Sequence, residues 1–395
     1  MKSILKDFTI STFIAGLIAV LVGYTSSAVI VFQAAISSGA TPAEASSWLG
    51  ILCVSMGALT VFLSLKYKVP VMIAWSTAGG ALLISSVSGI PLSETIGAFI
   101  FSAALTFFCG VTGYFEKIIK KIPLGLASAM LAGVLLHFAL DVFTAMKTQM
   151  FLCMGMFIVY VFGRRFFPRY NIVIVLIFGI VLAWFQKLLH FTVLDFSVLQ
   201  PVFFRPSFNI TTLFSIGIPL FVVTMSSQNL TGIAVMKSFG YRPEISKLIS
   251  WSGFVNLMIA PFGGYAINLS AITAAICMGP EAHINPDKRY TAAVSSGFIY
   301  IVAGIFSSAV VSLFNIFPKE LILTIAGLAL FSTIMSSITT FIEDKEDREA
   351  GLITFFVTAS GVSLFGIGAA FWGLVAGSIV SLVLNYKNCV TSIRK

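Results

Sequence analysis

Residues 264–276 read "GYAINLSAITAAI", and residues 70–82 read "PVMIAWSTAGGAL". Each stretch opens with Pro or Gly, continues with β-branched or aromatic residues, and then reaches a Ser that is followed by small residues. The first part favours an extended segment. Ser is a preferred N-cap, because its hydroxyl accepts from an orphan backbone N–H at the start of a helix. The pattern predicts two extended segments that become helical at Ser76 and Ser270.

The composition is typical of a polytopic helical membrane protein. Of the 395 residues, 58% are hydrophobic and 10% are charged, and the mean hydropathy is +1.01. A soluble domain carries about 25% charged residues, so this chain could not cover a water-facing surface. The net charge of +9 comes from short basic clusters between apolar runs, which suits loops on the cytoplasmic side of a membrane. The sequence therefore predicts a lipid bilayer as its surroundings and no nucleic-acid partner.

Apolar runs separated by charges, Pro or Gly predict an all-α fold with fourteen transmembrane segments. With both termini in the cytoplasm, this number places all but four of the 24 Lys and Arg residues on the cytoplasmic side, in agreement with the positive-inside bias. The four exceptions are Lys147, Lys187, Arg205 and Lys319. The first apolar run continues past Ala28 without a convincing cleavage site, which favours a membrane span over a signal peptide.

An internal repeat relates residues 1–190 to residues 205–388. A shift of 200 places the first predicted span on the eighth and aligns the Ser pairs at 26–27 and 226–227, and a shift of 194 aligns the two quoted stretches. Chance similarity in so biased a composition is the alternative. Because seven is odd, a seven-span unit would enter the membrane from opposite sides in its two copies, as in the 7+7 inverted repeat of secondary transporters. The third and tenth spans would then be discontinuous, each with a strand followed by a helix.

Inversion would direct the N-termini of the two half-helices into a shared pocket. Each N-terminus carries a partial positive charge and N–H groups that lipid cannot satisfy, so an anion between them would meet both needs. Tight packing of small residues against neighbouring helices is the alternative. With no Lys or Arg near the predicted midplane, the pocket favours a weakly hydrated monoanion. The predicted substrate-binding residues are Tyr24, Ser27, Trp75, Ser76, Thr77, Gln228, Asn229, Asn268, Leu269, Ser270 and Ala271. For Gln228 and Asn229 an interhelical hydrogen bond is the alternative, and for Trp75 packing between helices is the favoured interpretation.

Few ionisable residues fall in or near the predicted spans. The candidates for proton coupling are Glu281, His283, His137 and Asp141. The last two are four residues apart on one helix face, where a structural role at the helix end is the favoured interpretation; for the first two both roles stay open. No nucleophile–base pair or metal cluster recurs near the predicted midplane, so the sequence predicts neither an enzyme nor a bound cofactor or metal.

Several blocks of the sequence resemble the benzoate:proton symporter family of the BenE type, and the similarity runs nearly end to end. The blocks are 23–35, 69–83, 223–241 with "MSSQN", 271–283 with "AITAAIC", and 360–377.

The resemblance implies the fold of uracil/xanthine permeases and sulfate/bicarbonate exchangers. In that fold a core domain, here residues 1–115 and 209–315, moves against a gate domain, here residues 123–189 and 318–386. The substrate lies between the third and tenth half-helices, with contacts from the first and eighth spans.

The activity implied by the resemblance is proton-coupled import of benzoate, or of a similar aromatic or small carboxylate, across the inner membrane. Uracil permeases carry a substrate-binding Glu on the eighth span and another on the tenth. This chain has Gln228 and Asn229, and Asn268 and Ser270, in those regions, which argues against a nucleobase. A nucleobase permease, a proton-independent anion exchanger or channel, and a membrane scaffold are the alternatives. The oligomeric state is open, with a homodimer as one option.

Overall fold

The computed structural model describes residues 7–113, 124–167, 171–189, 196–280, 282–362, 364 and 369–393, and this part of the chain is mostly helical. Its two strands are β1 (Ile73–Trp75) and β2 (Ile267–Leu269). The helices are α1 (Ile10–Ser37), α2 (Pro42–Tyr67), α3 (Thr77–Ser86), α4 (Leu92–Val111), α5 (Leu124–Thr144), α6 (Met150–Phe166), α7 (Asn171–Phe185), α8 (210–238), α9 (Ile245–Ile259), α10 (Ile272–Met278), α11 (Tyr290–Ile305), α12 (Ser307–Ile316), α13 (Lys319–Glu343), α14 (Arg348–Ala359) and α15 (Ala369–Ile393).

The exterior carries many apolar side chains, as expected for contact with lipid. Phe151, Ile10 and Leu382 are 81%, 80% and 73% exposed. Within the described residues, six helices are long and apolar enough to cross a bilayer, and α1 is a seventh if its two parts, which meet at a bend of 41°, form one span. These features make the protein a multi-pass membrane protein. The number of fourteen crossings stays a prediction.

Glycine allows close approach between long helices. A Cβ placed on Gly57 of α2 would lie 2.5 Å from the carbonyl oxygen of Gly297 in α11, and one placed on Gly297 would lie 2.7 Å from the carbonyl oxygen of Gly57. In α4, a Cβ on Gly110 would overlap the backbone nitrogen of Ser250 in α9. Close backbone packing of this kind stabilises helix pairs in lipid, where no hydrophobic force draws helices together.

The two short strands pair with each other near the centre of the fold. β1 and β2 are antiparallel, with Ala74 opposite Asn268. The pairing continues beyond the strands, because the Ser76 N–H donates to the Ala266 carbonyl at 3.0 Å. Since the strands run in opposite directions, the helices that follow them, α3 and α10, leave from opposite ends of the sheet.

Side chains from neighbouring helices satisfy the outer edges of this sheet. On the β1 side, Thr60 Oγ1 in α2 accepts from the Ile73 N–H at 3.0 Å. On the β2 side, Asn256 in α9 holds both backbone groups of Ile267: its Oδ1 accepts from the N–H at 2.7 Å, and its Nδ2 donates to the carbonyl at 2.9 Å. Unpaired backbone groups at a buried edge would be costly, so these side chains allow a two-stranded sheet inside a helical protein.

The two half-helices begin differently. Ser76 caps α3, and its Oγ accepts from the Gly79 N–H at 2.9 Å, as predicted. The prediction that Ser270 caps α10 is wrong, because the N-cap is Ala271 and no side chain bonds the first turn. Ser270 Oγ accepts instead from Thr273 Oγ1 at 2.6 Å. A side-chain hydroxyl one turn into the helix therefore occupies the acceptor that would have served a backbone N–H.

The first and eighth predicted spans are both irregular where their Ser pairs lie. α8 contains two π-helical turns, Leu213–Gly217 and Thr224–Asn229, and the second coincides with the sequence "TMSSQN". The bend in α1 separates Ile10–Tyr24 from Ser27–Ser37. π-Helical turns are often found at functional sites because they redirect side chains within a helix.

Candidate functional site

A cavity of about 580 Å³ lies where the sheet meets the starts of α3 and α10. Six of the predicted substrate-binding residues line it: Ser27, Trp75, Thr77, Gln228, Ser270 and Ala271. The beginnings of the two half-helices therefore border one space. We call this space the central cavity.

Aromatic rings form one wall of the central cavity. Trp75 Nε1 donates to Ser27 Oγ at 2.8 Å, which fixes the indole. The Tyr24 ring lies edge-on to Trp75 with centroids 5.3 Å apart, and Tyr300 lies at 6.5 Å from Trp75. Tyr24 itself stands behind this wall: its hydroxyl accepts from Cys53 Sγ at 3.4 Å, and its ring borders a separate apolar cavity of about 230 Å³.

Asn229 and Leu269, which were predicted to bind substrate, are instead joined to each other outside the lining. Asn229 is fully buried, its Oδ1 accepts from the Leu269 N–H at 3.0 Å, and its Nδ2 donates to Met225 Sδ at 3.3 Å. Gly232 permits this approach, since a Cβ there would lie 2.7 Å from the Leu269 Cβ. Ser76 is also fully buried and serves as the cap of α3. These three residues position the cavity wall without lining it.

Asn268 is fully buried, and it lies directly opposite Ala74, which lines the central cavity. Opposed residues of an antiparallel pair share one face of the sheet. Neither Oδ1 nor Nδ2 of Asn268 has a hydrogen-bond partner in the described part of the chain. A buried amide without partners is costly, so a water molecule or another polar group at this position would stabilise the protein.

The wall opposite the half-helices comes from α5 and α13 and was missed by sequence analysis. Its polar members are Ser128, Ser332, Thr333, Ser336, Ser337 and Thr340. A helix places residues three or four apart on one face. The run "STIMSSITT" at 332–340 is thus a hydroxyl stripe in an apolar helix, and this spacing was the available signal.

The wall of the central cavity is neutral. None of the described residues that line it is Asp, Glu, His, Lys or Arg. Its polar groups are the amide of Gln228 and hydroxyls, which both donate and accept. Arg164 reaches the rim, where its Nη1 donates to Ser332 Oγ at 3.1 Å and to the Tyr160 hydroxyl at 2.8 Å.

His137 and Asp141 line a different space, an outer cavity of about 1010 Å³ that Lys319 also borders. No hydrogen bond or ion pair joins the two among the described residues. His137 Nε2 donates to the Ala359 carbonyl at 3.1 Å, and Asp141 Oδ1 accepts from Thr144 Oγ1 at 3.5 Å. The pair expected from the sequence is therefore two separate helix contacts.

His283 lies in the loop after α10, where its Nδ1 accepts from the Asn285 N–H at 2.9 Å; Glu281 lies outside the described residues. The buried Arg289, which sequence analysis did not single out, donates from Nη1 to the Met278 carbonyl and from Nε to the His283 carbonyl, both at 2.7 Å. It satisfies the Met278 carbonyl, which the end of α10 leaves free, and a carbonyl of the loop that follows. Arg289 thus holds the C-terminal end of this half-helix, the end that lies away from the cavity.

Comparison with known proteins decides the family. The family model for benzoate membrane transport protein, BenE, matches residues 6–383. The chain belongs to the BenE family.

Two relatives match this BenE-family chain over nearly their whole lengths. The inner membrane protein YdcO of Escherichia coli (strain K12) is 45% identical over 374 residues, which are 95% of this chain and 96% of that protein. The benzoate membrane transport protein of Acinetobacter baylyi is 36% identical over 384 residues, 97% of this chain and 98% of that protein. The family consists of membrane transporters, which confirms the expectation that the chain is not an enzyme.

The BenE-family chain also shares its fold with an anion transporter of known structure. The transmembrane domain of the cyanobacterial bicarbonate transporter BicA aligns with a TM-score of 0.58 at 13% identity, over 95% of this chain and 96% of that chain. At this level of identity the likeness concerns the fold. The expected membrane-transporter fold is therefore confirmed.

Proposed function

We propose that this protein imports benzoate, or a similar aromatic or small carboxylate, across the inner membrane by proton symport with alternating access. The observation that carries the proposal is the central cavity, a neutral, hydroxyl-lined space at the starts of two half-helices in a BenE-family chain. Its volume of about 580 Å³ lies in the range of small-molecule sites. Benzoate needs donors for a carboxylate and an apolar slot for a ring, and this cavity offers both.

The carboxylate would rest between Thr77 and the segment Ser270–Ala271. Backbone N–H groups at a helix start are free to bind an anion, and the hydroxyls of Thr77 and Ser270 add donors. The ring would lie against Trp75, with Tyr24 supporting the indole from behind, since aromatic pairs prefer edge-to-face contact. Gln228 would donate from α8.

Fourteen crossings with both termini in the cytoplasm, arranged as a 7+7 inverted repeat, form the second part of the proposal. Under this symmetry, the packing of span 2 against span 11 corresponds to the packing of span 9 against span 4. The closely packed pairs α2–α11 and α9–α4 agree with that correspondence, and so does the pairing of β1 with β2, one from each half.

Contacts at helix starts support the same symmetry. The Tyr290 hydroxyl, at the start of α11, donates to Asp7 Oδ2 just before α1 at 2.9 Å. The Thr212 hydroxyl, near the start of α8, donates to Glu94 Oε2 near the start of α4 at 2.6 Å. Exchanging the first span for the eighth and the eleventh for the fourth turns one contact into the other.

Alternating access would move the core domain, spans 1–4 and 8–11, against the gate domain, spans 5–7 and 12–14. The two large cavities support this motion because they lie at opposite ends of the same helices. Thr77 of α3 and Ser128 of α5 line the central cavity, whereas Ser86 of α3 and His137 of α5 line the outer cavity. Rocking of α5 and α13 against α3 would open one cavity as it closes the other.

Uptake into proteoliposomes tests the proposal. Labelled benzoate, uracil and sulfate are offered with and without an inward proton gradient, and protein-free vesicles give the passive flux of benzoic acid through lipid. We expect gradient-driven accumulation of benzoate above the passive level and no uptake of uracil or sulfate. Protein-mediated benzoate flux that ignores the gradient would instead favour a proton-independent exchanger, and uracil uptake would favour a nucleobase permease.

A further inference from the structure

We propose that the co-transported proton travels on the carboxylate of the substrate itself, and that no side chain of this protein carries it through the central cavity. The inference rests on the proposed function and names the group that carries the proton.

Each element around the central cavity contributes uncharged groups. α1, α3, α5, α8, α10 and α13 supply hydroxyls or the amide of Gln228, and α11 supplies the phenol of Tyr300. Behind the indole of Trp75 lie the phenol of Tyr24 and the thiol of Cys53, in contact with each other. Phenols and thiols are neutral at neutral pH. Within the described residues, nothing that faces a substrate in this cavity exchanges a proton near neutral pH.

The charged groups that the structure describes along the pathway lie elsewhere. His137, Asp141 and Lys319 border the outer cavity, at the other ends of α5 and α13. His283 accepts from the loop after α10, and Arg289 is bonded to backbone carbonyls. At the rim of the central cavity, the guanidinium of Arg164 is bonded to Ser332 and Tyr160.

A carboxylic acid in water ionises at about pH 4, so benzoate enters the outer cavity as an anion. Once benzoate reaches the central cavity and water leaves, a wall whose described residues carry no charge favours the uncharged acid. The start of α3 offsets part of this effect, but two of its first donors, the N–H groups of Gly79 and Gly80, are already bonded to Ser76. The start of α10 offsets less of it, because this helix has only seven residues.

The same wall binds both forms of the substrate. Hydroxyls of residues such as Thr77, Ser270 and Thr273, and the amide of Gln228, donate to a carboxylate and also accept from the O–H of a carboxylic acid. A wall of lysine or arginine would hold only the anion. The composition of the cavity thus permits the carboxyl group to change protonation without rearrangement of the site.

The proton balance of one cycle is simple. As benzoate passes from the outer cavity into the central cavity, a hydronium ion delivers a proton to a carboxylate oxygen: an O–H bond of the hydronium breaks, the O–H bond of the acid forms, and a water molecule is left behind. At the predicted cytoplasmic rim, this bond breaks and the proton returns to water, where the positive charge of Arg164 favours the anion that is left behind. One anion and one proton cross, and no net charge moves.

The test compares aromatic acids of similar shape and different strength on the wild-type protein. Protein-mediated uptake of 4-methoxybenzoate, benzoate and 3-nitrobenzoate, whose acid strengths increase in that order, is measured as a function of external pH in proteoliposomes, with the flux into protein-free vesicles subtracted. At low substrate concentration we expect each rate to fall about tenfold per pH unit once the acid form is limiting. The three profiles should be displaced from one another by the differences between the acids' own ionisation constants.

Profiles that share one midpoint for all three acids would overturn the proposal, because a protein group would then set the pH dependence. Glu281→Gln provides a second arm and is compared with wild type in both gradient-driven accumulation and benzoate exchange. We expect both activities to survive. A variant that exchanges benzoate but loses gradient-driven accumulation would make Glu281 the carrier and also overturn the inference. If the wild-type protein transports none of the three acids, the proposed function itself fails.

Discussion

Gln228 lines the central cavity from the π-helical turn of α8, so its amide is the side chain through which the substrate is most simply tested. Gln228→Ala removes one polar contact that a buried pocket does not replace with water. We expect the KM for benzoate uptake to rise about fivefold, as loss of about 1 kcal/mol of binding implies, with unchanged thermal stability. Gln186→Ala, at the end of α7, is the matched control. An unchanged KM in Gln228→Ala would remove this residue from the site.

Asn229 follows Gln228 in the sequence, and a substitution there should lower the stability of the protein. Asn229→Ala leaves the buried Leu269 N–H without its acceptor, which costs about 1–3 kcal/mol. We expect a lower unfolding temperature in detergent, whereas Asn209→Ala, at an exposed cap, should lower it less because water replaces the lost acceptor. A variant with full stability and a raised KM would return Asn229 to the substrate site.

The pair Gln228 and Asn229 also shows what could be predicted at this scale. Two amides in an apolar run indicate a polar site, and this pattern falls in the segment of α8 that lines the central cavity. Which amide reaches the cavity depends on the π-helical turn Thr224–Asn229, and no local periodicity specifies such a turn. The lack of contact between His137 and Asp141 could not be predicted from the sequence either, because the Ala359 carbonyl that accepts from His137 is distant in sequence.

Asp7, just before α1, gives a residue-scale prediction of pH dependence. The hydrogen bond from the Tyr290 hydroxyl at 2.9 Å, aided by the Lys288 ammonium at 3.4 Å, lowers the pKa of Asp7 from its ordinary value of 3.8, although desolvation acts in the opposite direction. A folded-state pKa below the unfolded value stabilises the protein above the unfolded pKa, and this contribution is lost as the pH falls through the folded pKa.

The comparison of wild type with Asp7→Asn tests this sign. The difference in unfolding temperature should be constant near neutral pH and shrink once the pH drops below about 4. Tyr290→Phe, which removes the largest cause of the shift, should raise the pKa of Asp7. A stability difference that grows on acidification would contradict the assignment.

At the scale of the element, the start of α3 is the part of the site whose local cause is clearest. Ser76→Ala removes the acceptor of the Gly79 N–H and should cost about 1 kcal/mol of stability. Uptake should also weaken, because Thr77 begins the helix at the cavity. Ser85→Ala, which loses contacts to the Leu82 carbonyl and to Ser86 Oγ within the same helix, is the control for the loss of stability. Equal effects of the two substitutions would argue against a special role for this helix start.

The two half-helices were predictable because their causes are local: Pro or Gly, a β-branched run, and a Ser followed by small residues. The pairing of β1 with β2 was not, since a strand's partner depends on tertiary contacts. The helix start at Ala271 instead of Ser270 reflects a single side-chain competitor, Thr273. The hydroxyl stripe at 332–340 could have been predicted as a polar helix face, but the cavity that it faces could not.

At the scale of the whole molecule, symport of one proton with one monoanion moves no net charge. Gradient-driven uptake of benzoate should therefore be unchanged when an inside-negative potential is imposed at constant pH gradient. The measurement uses a potassium diffusion potential in proteoliposomes. A severalfold change in rate with potential would contradict an electroneutral cycle and favour a different stoichiometry.

The most direct test of the account asks whether benzoate occupies the central cavity. The described cysteines are all buried, so a Cys389→Ser background permits a single reporter, Thr333→Cys, on the α13 wall of the cavity. Benzoate at saturating concentration should slow its reaction with a water-soluble thiol reagent at least about tenfold, and leave Thr112→Cys, at the exposed end of α4, unaffected. If Thr333→Cys reacts equally fast with and without benzoate in protein that still transports it, the substrate binds elsewhere.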